Sequence, residues 1–130
     1  MQKLKILLVD DEKDFRAIMK VRILSWDSVD CVLTAQDGEK AVDLVRKEDP
    51  DLIILDYMMP GMDGVRVLKK IRKFNKKVSI IMFTAYPNEK SIKFSEKLNV
   101  FAFIPKWSEY TDVEKSLKVA VNSIFRKINS

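Results

Sequence analysis

The sequence predicts a doubly wound α/β domain in which a five-stranded parallel sheet carries helices on both faces. Short, mostly apolar runs alternate along the chain with longer segments of helical period, and this alternation is typical of parallel strands joined by right-handed crossovers. The 130 residues suffice for one hydrophobic core and are too few for two. A content of 47% hydrophobic residues with 3 Gly and 4 Pro excludes a disordered or collagen-like chain.

Five runs are predicted as strands because they are too short and too continuously apolar for amphipathic helices. The four strongest are Lys5 to Val9, Leu52 to Leu55, Val78 to Phe83 and Val100 to Ile104. A fifth and weaker run, Cys31 to Ala35, completes the sheet. Cys31 is the only cysteine of the chain, so an internal disulfide is excluded and a reducing compartment is consistent with the composition.

Three helices are predicted in the first part of the chain from apolar residues that recur at spacings near 3.6. The first places on one face Phe15, Ile18, Met19, Ile23 and Trp26. The second runs from Glu39 to Lys47 and stops before Asp49-Pro50, because proline disfavours a helical residue before it. The third starts at Asp63-Gly64, where the aspartate can cap free backbone amides.

Two more helices are predicted towards the C-terminus. The fourth runs from Asn88 to Leu98 and has few large apolar residues, which favours a marginally stable helix. The fifth opens on a capping-box pattern formed by Thr111 and Glu114. It then carries one apolar stripe nearly to the C-terminus.

The positive charge of the chain is modest, since 24 Lys and Arg against 19 Asp and Glu give +5. Much of the excess lies where the third helix is predicted to end, at Lys69, Lys70, Arg72, Lys73, Lys76 and Lys77. Cations in that place complement the helix dipole and face water. Binding of nucleic acid is the alternative interpretation of this run, and we expect no direct nucleic-acid contact by this chain.

Several functional classes are excluded by what the sequence lacks. No apolar run approaches the roughly 20 residues that span a bilayer, and Asp10, Asp11 and Glu12 interrupt the N-terminus before a signal-peptide apolar region reaches normal length. We therefore expect no membrane contact and a cytoplasmic location. Histidine is absent, which excludes a Ser-His-Asp triad and a His-ligated metal site.

Polar residues follow four predicted strands at their carboxyl ends, the place where doubly wound sheets bind ligands. They are Asp10-Asp11-Glu12, Asp56, Thr84-Ala85 and Pro105-Lys106. Asp56 is the most informative of them, because a carboxylate at the rim of a buried strand needs partners of its own. An acidic pair after a strand often serves only as a helix cap, so the joint placement of the four strand ends carries the functional interpretation.

The chemistry of this group follows from its charges. If the first and third strands are neighbours, Asp10, Asp11 and Asp56 converge, and their repulsion calls for a cation. Hard oxygen ligands predict Mg²⁺, with Mn²⁺ as a substitute. A metal-bound carboxylate can attack phosphorus, so Asp56 is the predicted phosphoacceptor, with Lys106 as a cation and the Thr84 hydroxyl as a donor to the phosphoryl oxygens.

The segment Asp56 to Gly64, DYMMPGMDG, together with Lys5 to Glu12, KILLVDDE, resembles the receiver domain of two-component response regulators. With the Thr84-Ala85 pair and the late Lys106, the resemblance covers essentially the whole chain. It implies a flavodoxin-like, three-layer fold with strand order 2-1-3-4-5. It also implies phosphoryl transfer from a partner histidine kinase or histidine phosphotransfer protein.

The resemblance also assigns roles to residues. Asp10 or Asp11, Asp56 and the backbone carbonyl of Met58 would ligate Mg²⁺, while Thr84 and Lys106 would contact the phosphoryl group.

A switch is implied as well. Thr84 would move towards the phosphoryl group while Phe103 turns inward, which changes the surface of the fourth helix, fifth strand and fifth helix for a downstream protein target.

Two positions depart from the family pattern. Trp107 follows Lys106 where the family commonly has proline after a cis bond. A cis bond before a residue other than proline costs roughly 2.5–4 kcal/mol, so the conformation of the Lys106-Trp107 bond stays open. Asn99-Val100 stands where a Gly-Ala pair is usual, which would alter the end of the fourth helix.

Three other functions compete with the receiver interpretation. A phosphatase of the haloacid dehalogenase type needs a second aspartate two residues after Asp56, and Met58 is there. A DNA-binding regulator needs a basic helix-turn-helix segment after the receiver, and we expect a single receiver domain over 1–130 without an output domain. A degenerate receiver that binds proteins independently of phosphorylation stays the alternative. No enzymatic activity is expected beyond the chain's own phosphorylation and dephosphorylation.

Overall fold

The computed structural model describes residues 1–59, 61–85, 89–106 and 109–130, with only the backbone described at 91 and 110. Within these residues, strands and helices alternate as the sequence predicts. The elements are β1 (Leu4–Val9), α1 (Lys13–Leu24), β2 (Val29–Ala35), α2 (Gly38–Glu48), β3 (Leu52–Asp56), α3 (Gly64–Phe74), β4 (Ser79–Thr84), α4 (Glu89–Lys97), β5 (Ala102–Pro105) and α5 (Tyr110–Ile128). Asn88 and the Lys106-Trp107 bond, on which two sequence predictions depend, lie outside the described residues.

The five strands form one parallel sheet in the order β2-β1-β3-β4-β5. This is the flavodoxin-like order that the family resemblance implies, and the predicted fold class is confirmed. The chain turns to one side of β1 to form β2 and to the other side to form β3. The carboxyl ends of β1 and β3 therefore flank the switch point at which a doubly wound sheet binds ligands.

Two hydrophobic layers cover the two faces of the sheet. The strand β3 shows how they are divided, because its side chains alternate and all of them are buried. Leu52 and Ile54 pack in the layer that contains α1 and α5, whereas Ile53 and Leu55 pack in the layer that contains α2 and α3. A strand covered on both faces must be apolar throughout, which explains the continuous run in the sequence.

Two helix starts are capped by aspartate. Asp63 accepts a hydrogen bond from the amide of Arg66 at 2.9 Å, as the sequence predicts, and Asp37 does the same for Lys40 at 2.8 Å. Each cap satisfies a backbone amide that has no partner within the helix. The cap of α3 is important for the site, because α3 begins immediately after the loop that follows Asp56.

The predicted capping box of the fifth helix is wrong. The helix starts at Tyr110, its N-cap residue is Glu109, and no side-chain cap is formed among the described residues. Glu114 instead accepts an ion-pair hydrogen bond from Arg22 of α1 at 2.6 Å. Because the helix begins one residue before Thr111, Glu114 lies beyond the third helical position from which a capping box is made.

The end of α4 is tied to α3 by one buried arginine. Arg72 is 9% exposed. Its guanidinium donates to the carbonyls of Leu98 at 2.9 Å, Asn99 at 3.0 Å, Val78 at 2.8 Å and Asn75 at 3.2 Å. Asn99 has a φ of +61°, a left-handed conformation that asparagine tolerates better than most residues. Asparagine can therefore stand where the family usually has glycine.

A further observation concerns membranes. Within the described ranges, the structure contains no helix whose length and apolar character would let it cross a bilayer.

Candidate functional site

The four predicted strand ends meet at one edge of the sheet. Asp10 directly follows β1, Asp56 closes β3, Thr84 closes β4, and Lys106 directly follows β5. The parallel register places Asp56 opposite Phe83, and Thr84 opposite Pro105. Because the strands are adjacent in the order β1-β3-β4-β5, residues that are far apart in the chain become neighbours.

An acidic cluster occupies this edge. One carboxylate oxygen each from Asp10, Asp11 and Asp56 lie within 4.8 Å of one another. Asp10 is 0% exposed and Asp56 is 4% exposed, whereas Asp11 faces solvent. Three converging carboxylates of which two are buried suit a hard divalent cation that retains some water, so the donor set is appropriate for Mg²⁺.

Lys106 supplies the positive charge within the cluster. Its ammonium lies 2.6 Å from Asp10 Oδ2, 3.3 Å from Glu12 Oε1 and 3.6 Å from Asp56 Oδ2, and its side chain is only 9% exposed. The backbone amide of Lys106 donates to the carbonyl of Thr84 at 2.6 Å. The lysine is thus fixed to the end of β4 and directs its charge across the edge of the sheet towards β1 and β3.

These surroundings shift the proton affinities of the site. Burial, reinforced by the charge of Asp10, raises the pKa of Asp56 to about 7, although Lys106 and the amide of Met58 act in the opposite direction. Burial also raises the pKa of Asp10. For Lys106, burial lowers the pKa, but the hydrogen bond and charge of Asp10, with Asp56 and Glu12, outweigh it and raise the pKa. Burial disfavours the charged form of each group, and an opposite charge nearby favours it again.

The loop between β3 and α3 holds Asp56 in place. The amide of Met58 donates to Asp56 Oδ1 at 3.1 Å, and the amide of Tyr57 donates to the carbonyl of Phe83 at 3.0 Å. The amide of Gly64 closes the loop on the carbonyl of Tyr57 at 2.7 Å. The Met58 side chain is 51% exposed, and the role of its carbonyl as a metal ligand stays a prediction.

Gly64 has a steric role that the sequence did not reveal. A Cβ atom at this position would lie 2.5 Å from the carbonyl oxygen of Asp56 and 2.7 Å from the Cα of Tyr57. Both are backbone atoms, which cannot rotate out of the way. The sequence predicts Gly64 only as part of a helix start, but glycine is also required for α3 to approach the loop that follows Asp56.

Four residues near the cluster were not predicted as site residues. Glu12 donates its amide to Asp10 Oδ1 at 2.8 Å, and Arg16 donates to the Asp10 carbonyl at 2.7 Å. Phe15 and Phe83 lie with their ring centroids 4.1 and 5.2 Å from Lys106 Nζ. The position of Glu12 beside the acidic pair could have indicated a role in the site. For the two phenylalanines, the sequence indicates only core positions.

The two proposed switch residues lie on adjacent strands. Thr84 is 0% exposed at the end of β4. Phe103 is half-buried on β5, pairs in register with Met82, and packs against the hydrophobic layer that contains α2 and α3. Their predicted roles in signalling stay predictions.

The structure is a doubly wound domain with a cluster of carboxylates suited to a cation at the carboxyl edge of its sheet. The family model of the response regulator receiver domain matches residues 6–118. The chain therefore belongs to the response regulator receiver domain family, and the family resemblance of its sequence is confirmed.

Similar proteins and structures agree with this assignment. The probable transcriptional regulator ycf27 of Porphyridium aerugineum is 35% identical over 131 residues, which cover 99% of this chain and 51% of that protein. Sporulation initiation phosphotransferase F of Bacillus subtilis (strain 168) is 31% identical over 114 residues, 88% of this chain and 90% of that protein. The crystal structure of the response regulator domain of Thermotoga maritima CheB has a TM-score of 0.86 at 26% identity, and the match covers 96% of this chain and 98% of that one.

The coverage differs between these relatives. The chain spans about half the length of the ycf27 relative, or 51%, and nearly all of the phosphotransferase. The family is thus shared by proteins of different total length.

Proposed function

We propose that this chain is the phosphoacceptor receiver of a two-component or phosphorelay system, in which Asp56 accepts a phosphoryl group from a histidine kinase or a histidine phosphotransfer protein. One observation carries the proposal: the buried Asp56 carboxylate lies within 4.8 Å of two other carboxylates and 3.6 Å from the Lys106 ammonium. The Bacillus relative is a phosphotransferase by name, which supports the same chemistry. Residues 1–130 act as one receiver domain located in the cytoplasm.

Asp10, Asp11 and Asp56, with the backbone carbonyl of Met58, would hold Mg²⁺. A bound ion of this kind would supply positive charge that stabilises the phosphoryl oxygens during transfer. Its preference for few protein ligands and several waters agrees with one exposed and two buried carboxylates.

The chain's own residues would act as follows. An Asp56 carboxylate oxygen forms the new bond to phosphorus as the bond from phosphorus to the donor's imidazole nitrogen breaks. Lys106 stays beside Asp56 and neutralises a phosphoryl oxygen as a point charge. The Thr84 hydroxyl donates a hydrogen bond to another oxygen of the group. Chemistry of this kind depends mainly on positioning and charge, so the protein needs no histidine of its own.

The output of the receiver would be a shift between two packed states. Thr84 turns towards the phosphoryl group and Phe103 turns inward, which changes the α4-β5-α5 surface for a downstream protein. No direct contact with nucleic acid or membrane is part of this proposal, and the catalysis is limited to the chain's own phosphorylation and dephosphorylation.

Labelling with a small phosphodonor tests the phosphoacceptor. Acetyl phosphate in the presence of Mg²⁺ should give one alkali-labile phosphoryl group in the parent protein and none in Asp56→Asn. Asp43→Asn, a change at an exposed acid on α2, is the matched control and should be labelled like the parent. Equal labelling of Asp56→Asn would refute the assignment, and the absence of labelling in the parent would favour a degenerate receiver.

A second experiment tests the transmission step. Beryllofluoride, a phosphoryl mimic, should shift amide resonances on α4, β5 and α5 in the parent protein, and shift them much less in Lys106→Ala. The lysine contact differs between the two states, and that difference is what drives the population shift. Identical shifts in both proteins would show that Lys106 does not transmit the signal and would leave the Thr84 hydroxyl as the main candidate.

A further inference from the structure

Lys106 contacts two kinds of group. Three carboxylates lie 2.6 to 3.6 Å from its ammonium. The ammonium also lies over the ring of Phe15, at 4.1 Å from the centroid, and over the ring of Phe83, at 5.2 Å. Both distances are within the roughly 6 Å over which an aromatic ring attracts a cation.

The two rings form a rigid support. Phe15 is 1% exposed and Phe83 is 0% exposed, and the rings stack with centroids 5.5 Å apart and planes inclined by 28°. Phe15 comes from α1, while Phe83 lies on β4 directly before Thr84 and opposite Asp56 in the sheet register. The support is therefore built on elements that also carry the site.

The carboxylates cannot pair equally well with the Lys106 ammonium and with a divalent ion. Asp10 makes the shortest contact with Lys106, at 2.6 Å, yet Asp10 also belongs to the cluster suited to a divalent ion. An oxygen that ligates an ion of charge +2 has less negative charge to offer an ammonium, and the two cations repel each other. The aromatic side is unaffected by this competition.

We propose that Phe15 and Phe83 are positioning residues, which keep the Lys106 ammonium beside Asp56 once a divalent ion has engaged the acidic cluster. The inference rests on the proposed function, since it assigns the rings to the same phosphoacceptor site. Leucine at either position would fill much of the same space and keep the apolar contact. It would lack the negative ring face that attracts the ammonium.

The position of Lys106 can be measured without phosphorylation. In the parent protein, the methylene next to the ammonium should show an upfield ring-current shift by NMR and restricted motion, both with and without Mg²⁺. In Phe15→Leu the shift should fall to the smaller contribution of the more distant Phe83 ring, and the methylene should become mobile when Mg²⁺ is added. Met19→Leu is the matched control, because Met19 is 0% exposed on the same helix, and it should behave like the parent.

Fluorinated phenylalanine separates ring electrostatics from packing. Site-specific incorporation of mono-, di- and trifluorophenylalanine at position 15 weakens the negative ring face in steps while changing the shape little. The rate of Asp56 labelling by acetyl phosphate should fall with each step, by about threefold to tenfold over the series. The same series at position 83 tests the second ring, and either series stands in for a leucine variant that fails to fold.

The experiments distinguish failure of this inference from failure of the proposed function. A methylene that stays ordered in Phe15→Leu with Mg²⁺, or a labelling rate that is constant across the fluorinated series, would overturn the inference. If the parent protein accepted no phosphoryl group, the proposed function would fail, while the NMR measurement would still decide whether the rings hold the lysine.

Discussion

Replacing Asp56 by asparagine should stabilise the metal-free protein at neutral pH. The parent carboxyl is 4% exposed, and burial with the nearby charge of Asp10 raises its pKa from 3.8 to about 7. In the unfolded chain the same group is solvated and keeps its ordinary pKa. Asparagine carries no charge, so the variant avoids the cost of holding an anion in this buried place.

The sign and size of the effect follow from linkage. Between about pH 4 and pH 7 the folded parent binds a proton that the unfolded chain has released, so its free energy of unfolding falls as the pH rises through this window. The gain in free energy of unfolding from Asp56→Asn is therefore absent below about pH 4 and reaches its full value above about pH 7. At about 1.4 kcal/mol per pKa unit it reaches at most about 4 kcal/mol. This value already includes the attraction of Lys106, which lowers the pKa of Asp56, and relaxation around the site reduces it.

Urea unfolding at about pH 4 and about pH 8, with a chelator present, measures the difference. Far-UV circular dichroism is a suitable signal because it follows the helices of the whole domain. Asp43→Asn should change the free energy of unfolding by less than about 0.5 kcal/mol at either pH, as for an exposed surface substitution. If Asp56→Asn raised the free energy of unfolding equally at both pH values, or lowered it at high pH, the electrostatic reasoning would be refuted.

Three further predictions concern other parts of the molecule. Asp11→Ala should weaken Mg²⁺ binding and relieve local repulsion, and an unchanged affinity by calorimetric titration would remove Asp11 from the metal site. Gly64→Ala should lower the free energy of unfolding by about 1–3 kcal/mol, since its Cβ meets the backbone of Asp56 and Tyr57; urea unfolding checks this, and parent-like stability would contradict the steric argument. Arg72→Met should cost about 2–3 kcal/mol by leaving buried carbonyls without donors, and amide hydrogen exchange should quicken at the end of α4 but not in α1. Unchanged exchange there would show that the arginine does not anchor α4.

The sequence by itself determined the fold class and the edge of the sheet at which chemistry occurs. Leu52 to Leu55 favours a strand buried on both faces, because the run is short and its four consecutive apolar residues leave no polar face for water. Once such strands are parallel, their carboxyl ends share one edge, so Asp56 and Lys106 had to lie there. The order of the strands came from the family resemblance, since alternation alone does not specify which strands are neighbours.

Only the tertiary structure decided how the charges are shared. Lys106 lies closer to Asp10 than to Asp56, at 2.6 against 3.6 Å, and the rings of Phe15 and Phe83 lie beneath it. Neither arrangement can be predicted from the local sequence, because the contacts join β1, α1, β4 and the end of β5. The predicted capping box is wrong because the fifth helix begins at Tyr110, before Thr111, and Glu114 pairs with Arg22 of α1. Short-range pattern specifies elements, whereas distances between side chains depend on packing among elements that are remote in sequence.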